Sequence, residues 1–265
     1  MKRFLATALA CASAALALTV GNPSTARDDK PAPMRFEWRI EGPADQCGVH
    51  CRTWIAATGV ITEETARAFE TFARTNNVRG ARLVLDSEGG SVLSAMALGR
   101  AIRNFDMTTT VGRTTLLPSD GNGPQRAMIS PNASCESMCA FILLAGTRRY
   151  VPSEARVLVH QIWLGAKSKR ARETSYTADE LQLVQRDVGR LVRYTAEMGG
   201  SMELIETALR VPPWEPMHRL NVDELRRMKI TTVDYLFEQD VPAPAVAVTT
   251  PNTITTSAQG QQGQR

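Results

Sequence analysis

Apolar positions recur along the chain with two periods, and the two alternate. Arg52 to Ile61 is β-prone and stops at Thr62, an N-cap for Glu63 to Asn76, where Ala66, Phe69, Phe72 and Ala73 form a stripe at helical spacing. Arg82-Leu83-Val84-Leu85 is a short apolar run suited to a strand buried on both faces. Gly89-Gly90 and a predicted helix from Ser91 to Asn104 follow it. Met107 to Val111 reads as the next strand, Cys135 to Leu144 as a helix, and Ala155 to His160 as another buried strand. Thr177 with Glu180 makes a capping box for a helix that carries Leu181, Val184, Val188, Leu191, Val192 and Met198 at helical spacing. Between these elements, Arg113 to Asn132 contains Pro118, Asp120-Gly121 and Gly123-Pro124 and predicts a long loop. The alternation predicts an α/β domain with a mainly parallel sheet.

The two ends of the chain depart from this pattern. Lys2 and Arg3 precede an apolar stretch, Phe4 to Val20, and Ser24-Thr25-Ala26 offers a small-x-small cleavage site. Residues 1–26 therefore read as a signal peptide of an exported protein, periplasmic or secreted. The alternative, a membrane anchor, would need these 17 residues rich in Ala and Thr to span a bilayer, for which they are marginal. Residues 27–51 are polar and read as an N-terminal arm, 52–237 as the domain, and 238–265 as a disordered tail. From Val241 onward there is no aromatic residue and no charge before Arg265, too little to offset the entropy of ordering.

Composition adds exclusions. With 43% apolar and 22% charged residues the chain is neither wholly disordered nor a multi-span membrane protein. The net charge of +4, from 31 basic and 27 acidic residues, comes without a basic stripe, so no nucleic-acid partner is expected. Without Cys11, four cysteines remain: Cys47, Cys51, Cys135 and Cys139. An even number in an exported chain points to disulfides, and three pairings are open. Cys47-Gly-Val-His50-Cys51 lacks the spacing of a zinc knuckle, so no metal site is expected there. No cofactor is expected either.

Three histidines can be weighed singly. His50 lies between two cysteines, and His218 lies in the Pro-rich segment from Val211. His160 ends the run Val157-Leu158-Val159, where a parallel strand would deliver it to the sheet edge that hosts chemistry in open α/β folds. Ser137 sits where a helix is predicted to start, beside unpaired backbone N–H groups and the positive end of the helix dipole, an environment suited to a nucleophile whose attack creates an oxyanion. Gly89-Gly90 allows close backbone approach between a strand and a helix.

In this order the pieces resemble the Clp protease proteolytic-subunit family of the ClpP/crotonase superfamily. The likeness is carried by Leu83 to Val92, Ser137-Met-Cys-Ala-Phe-Ile-Leu-Leu-Ala-Gly146, Arg156-Val-Leu-Val-His-Gln161 and the helix after Thr177, and it covers about residues 52 to 237. The resemblance implies a spiral of β-β-α units with a mainly parallel sheet and a long handle-like helix. It implies a serine peptidase with Ser137 as nucleophile, His160 as general base, and the backbone N–H groups of Gly90 and Met138 as oxyanion hole.

Three positions depart from the family: Glu88 stands for a proline, Cys139 for a glycine, and Ala208 stands where the family's third catalytic member, an Asp, is expected. Glu206 is two residues from that place and would face another side of a helix. No carboxylate is thereby assigned to orient His160. Lys167 and Lys169 suit a solvated loop rather than a Ser–Lys site.

Outside the cytoplasm there is no ATP supply, so no ATP-driven unfoldase is expected, and a peptide or an already unfolded polypeptide is the natural substrate. The handle-like helix points to a homo-oligomer, although burial of its stripe within its own domain explains the pattern equally well. Two function classes emerge: an exported, ATP-independent serine peptidase, and a binding or assembly protein that keeps the fold without efficient chemistry. An acyl-CoA enzyme of the crotonase type fits poorly, because that chemistry needs an oxyanion hole but no Ser–His pair and coenzyme A is not expected outside the cytoplasm.

Overall fold

Strands β1 (Arg35–Glu41), β2 (Thr53–Thr58), β3 (Arg82–Asp86), β4 (Thr108–Val111), β5 (Arg113–Leu116), β6 (Arg126–Ser130) and β8 (Arg148–Tyr150) form one sheet in the order β5-β6-β1-β2-β3-β4-β8. The computed structural model describes residues 32–119, 124–165 and 170–237. β2 and β3 are central because they are apolar toward both faces: Trp54 to Ala57 and Leu83 to Leu85 are all buried. Pairings β1–β6, β2–β3, β3–β4 and β4–β8 are parallel, and β1–β2 and β5–β6 antiparallel. A second sheet joins β7 (Ser134–Glu136) to β9 (Arg156–Val159) in parallel, with β10 (His218–Arg219) antiparallel on β9. The architecture is therefore the mixed α/β one with a mainly parallel sheet that the alternating periods predict, consistent with a ClpP/crotonase-like fold.

The helices are α1 (Ala44–Cys47), α2 (Thr65–Thr75), α3 (Val92–Asn104), α4 (Met138–Leu144), α5 (Ala178–Glu197), α6 (Met202–Leu209) and α7 (Val222–Arg227). All seven residues of α4 are buried. Its carbonyls are met by side chains of neighbouring elements: the Tyr194 hydroxyl donates to Phe141 O at 2.9 Å and the Thr109 hydroxyl to Leu143 O at 2.6 Å. Past its C-terminal end, Arg103 donates to Ala145 O at 2.7 Å and Arg149 to Gly146 O at 2.9 Å. Two guanidinium groups thus complement the negative end of the helix. Arg149 is 6% exposed; burial first, then the charge of Arg103, pushes it down to about 10.

The structure corrects the sequence reading in three places. Within the segment read as an arm, Arg35–Glu41 is not outside the domain: it is β1, which pairs with β2 and β6 inside the sheet. The long loop from Arg113 to Asn132 is largely a hairpin, β5 against β6, whose Thr114 hydroxyl accepts from the buried Trp54 indole at 3.0 Å. The helix predicted from Cys135 is a strand, β7, then a turn at Ser137, then α4. On α5 the capping box of Thr177 and Glu180 forms, but its stripe divides: Leu191 and Met198 are buried while Leu181 and Val192 are exposed. The expected signal peptide, the tail and the lysines at 167 and 169 lie outside the described residues. Among the described residues no helix is long and apolar enough to cross a membrane.

Candidate functional site

Parallel pairing brings the singled-out residues to one edge. β7 and β9 run side by side in the register Cys135↔Val157 and Glu136↔Leu158, so the residues that follow both strands emerge together. Ser137 follows β7 and donates its N–H to Leu158 O at 2.8 Å. His160 follows β9, and its Nε2 lies 2.9 Å from Ser137 Oγ. β3 adds the third piece: Ser87 bridges to Cys135, which sets Gly89 and Gly90 beside the Ser137 turn.

Ser137 occupies the turn between strand and helix with φ 51° and ψ −120°, a conformation that L residues rarely adopt. Such a backbone costs about 1–3 kcal/mol and persists only where its surroundings over-determine it. The approach of Gly89 is close enough to explain its glycine. At φ 85°, a Cβ there would lie 2.6 Å from Glu136 O and 2.8 Å from Ser137 Cβ. Gly90, at φ 140°, is pressed against Ile61, whose carbonyl would sit 2.0 Å from a Cβ at this position. Among the described residues the N–H groups of Gly90 and Met138 donate no hydrogen bond, whereas Gly89 N–H donates to the Ser87 hydroxyl at 3.2 Å.

His160 is half-buried, and its Nε2 meets the Ser137 hydroxyl. Burial pushes its imidazole below the ordinary histidine value. Nδ1 has no hydrogen-bond partner among the described residues, in keeping with the sequence, which supplies no carboxylate at that place. Ala208 is buried on α6 and carries nothing ionisable. Glu206 is exposed and lies 3.9 Å from Arg210, one turn along its own helix. His218 is elsewhere, with its Nε2 3.0 Å from Glu224, and His50 lies in the short turn that follows α1.

Disulfides join Cys47 to Cys51 and Cys135 to Cys139. The second brackets Ser137 from both sides, and both of its sulfurs belong to fully buried residues. Among the described residues no cluster of His, Cys, Asp or Glu is placed to hold a metal ion.

Asp86 ties three elements together at this edge, a tie that residue type alone does not single out. Its Oδ1 accepts from Ser134 N at 3.3 Å and its Oδ2 from Arg113 Nε at 2.8 Å, tying β7 and the β5–β6 hairpin to the end of β3. Its place beside Gly89-Gly90 was the available signal, but its partners lie 48 and 27 residues away.

Residues 131–210 match the family model described as Clp protease, a span that holds Ser137, His160 and α5 and leaves out Gly89-Gly90. No curated protein matches the chain.

Proposed function

We propose that the chain is an exported, ATP-independent serine peptidase that hydrolyses peptides or unfolded polypeptides at Ser137. The observation that carries this reading is the 2.9 Å approach of Ser137 Oγ to His160 Nε2, with the backbone N–H groups of Met138 and Gly90 donating no hydrogen bond among the described residues. Ser137 Oγ attacks the scissile carbonyl carbon while its proton passes to His160 Nε2, and the N–H groups of Gly90 and Met138 receive the developing oxyanion. The imidazolium then returns the proton to the leaving amine. Water, activated by the same imidazole, releases the acyl group and restores the serine. Because no carboxylate among the described residues steadies the imidazolium, the rate falls short of a complete triad by several powers of ten, about 10⁴ where the acid alone has been removed elsewhere.

Export rests on the basic-then-apolar N-terminus, and the two disulfides favour an oxidising compartment. The exposed Leu181 and Val192 on α5 offer a second copy of the chain an apolar strip, which supports a homo-oligomer. That Nδ1 of His160 has no partner among the described residues favours the second reading, a binding or assembly protein with the same fold.

A fluorophosphonate probe separates the two. The peptidase reading expects a covalent adduct, mapped by peptide mass spectrometry to Ser137 and absent in Ser137→Ala; a wild-type protein that forms no adduct belongs to the second reading.

The pH dependence follows from His160. As general base it must be neutral, and its burial lowers the pH at which it becomes protonated. The labelling rate is therefore expected to be on its plateau at pH 7 and to fall on acidification with a midpoint below 6.5, the ordinary histidine value. A midpoint above that value would contradict a desolvated base.

A further inference from the structure

We propose that the Cys135–Cys139 disulfide is a positioning element for Ser137 and makes reaction at this serine conditional on an oxidised protein; the inference rests on reading Ser137 as the nucleophile. The bond closes a short ring with the serine at its middle, two residues from either sulfur. The strand side of this turn is anchored by the backbone: Glu136 N–H donates to Ser87 O at 2.9 Å and Ser137 N–H to Leu158 O at 2.8 Å. The helix side is tied more sparsely. α4 has no side-chain N-cap, and the N–H of Met138, which the reading assigns to the oxyanion, must stay unpaired. Its far end is fixed by Arg103 and Arg149, so the disulfide supplies at the first turn what those guanidinium groups supply at the last.

The conformation held is one that an open chain leaves readily. Ser137 has φ 51°, in the region that L residues avoid, and serine lacks the carbonyl side chain by which Asn and Asp are eased into it. Without the link, relaxation toward negative φ swings Oγ away from His160 Nε2 and turns Met138 N–H away from Gly90 N–H. Both distances belong to the reacting geometry, where displacement by about 1 Å can cost 10²-fold in rate. In a reducing compartment the pair would be two thiols and the serine would be misplaced, which confines the chemistry to oxidising surroundings.

The test compares fluorophosphonate labelling of full-length wild type with Cys135→Ala/Cys139→Ala, using Cys47→Ala/Cys51→Ala as control. The expected result is an inactivation rate about 10- to 100-fold lower in the first variant, with the probe's apparent affinity unchanged, and a wild-type rate in the control. A disulfide that merely stabilised the fold would change the melting temperature and leave the inactivation rate alone. A second arm needs no substitution. Dithiothreitol delivers two electrons and two protons to the bond, leaving two thiols as it closes to its own disulfide; labelling is expected to slow and to recover on reoxidation. The proposal is overturned if the double variant, or wild type whose Cys135 and Cys139 are found as thiols by mass spectrometry, labels at the oxidised wild-type rate. Absence of labelling in oxidised wild type overturns the nucleophile reading itself, and this inference with it.

Discussion

Alanine at position 160 is expected to slow acylation of Ser137 by about 10²–10⁴-fold, the range that a positioned general base contributes. The loss should fall in the lower half of that range. His160 Nε2 lies 2.9 Å from Ser137 Oγ, within reach of its proton, but no carboxylate among the described residues pairs with the imidazolium that proton transfer creates. A base in this state contributes less than one in a complete triad, so removing it costs less. The measurement is the fluorophosphonate inactivation rate of His160→Ala at pH 7, set beside thermal melting. His160 is only partly buried, and melting is expected to change little. A variant that labels as fast as wild type would show that Ser137 is activated by something other than this imidazole.

Gly90→Ala is expected to destabilise the protein by about 2–6 kcal/mol. Two costs combine: a non-glycine residue at φ 140°, worth about 1–3 kcal/mol, and a Cβ placed 2.0 Å from Ile61 O, with overpacking also costing about 1–3 kcal/mol. The clash cannot relax cheaply. Ile61 is fully buried, its N–H donates to Gly89 O at 2.8 Å, and its carbonyl accepts from Ser91 N at 2.7 Å, so moving it breaks the ties on both sides of Gly90. At about 2–4 °C per kcal/mol for a domain of this size, the melting temperature should drop by roughly 4–24 °C. Labelling at Ser137 should fall as well, because the N–H of residue 90 shifts with its backbone. A melting temperature equal to wild type would mean that the approach of Ile61 is much looser than the structure has it.

The elements legible in the sequence are those whose signal is local. β3 announces itself as an uninterrupted apolar run, α3 as a helix expected from Ser91 to Asn104, and α5 by a capping box in which Thr177 accepts from Glu180 N while Glu180 accepts from Thr177 N. Elements that the sequence hides are short strands justified only by distant partners. β1 carries charges along its length and becomes a strand because β2 and β6 flank it. β7 has three residues, and its strand character comes from β9 and from Ser87. An apolar run from Cys135 onward satisfies a helical pattern as well as it satisfies a strand, a turn and a shorter helix. On α5 the stripe is visible in sequence, but which half of it meets this domain is not.

The site divides along the same line. Ser137, His160 and Gly89-Gly90 can be singled out by residue type and order, because identity is local information, whereas the place of Ala208 comes only from the resemblance to the family. Three features are decided only by the fold: the 2.9 Å separation of hydroxyl and imidazole, the joining of Cys135 to Cys139 around the serine, and the anchoring of β7 by Asp86. Periodicity and capping depend on neighbours within a turn or two of chain. Catalytic distance, cysteine pairing and strand membership depend on segments tens of residues apart that parallel pairing draws to one edge, and no local pattern carries that registration.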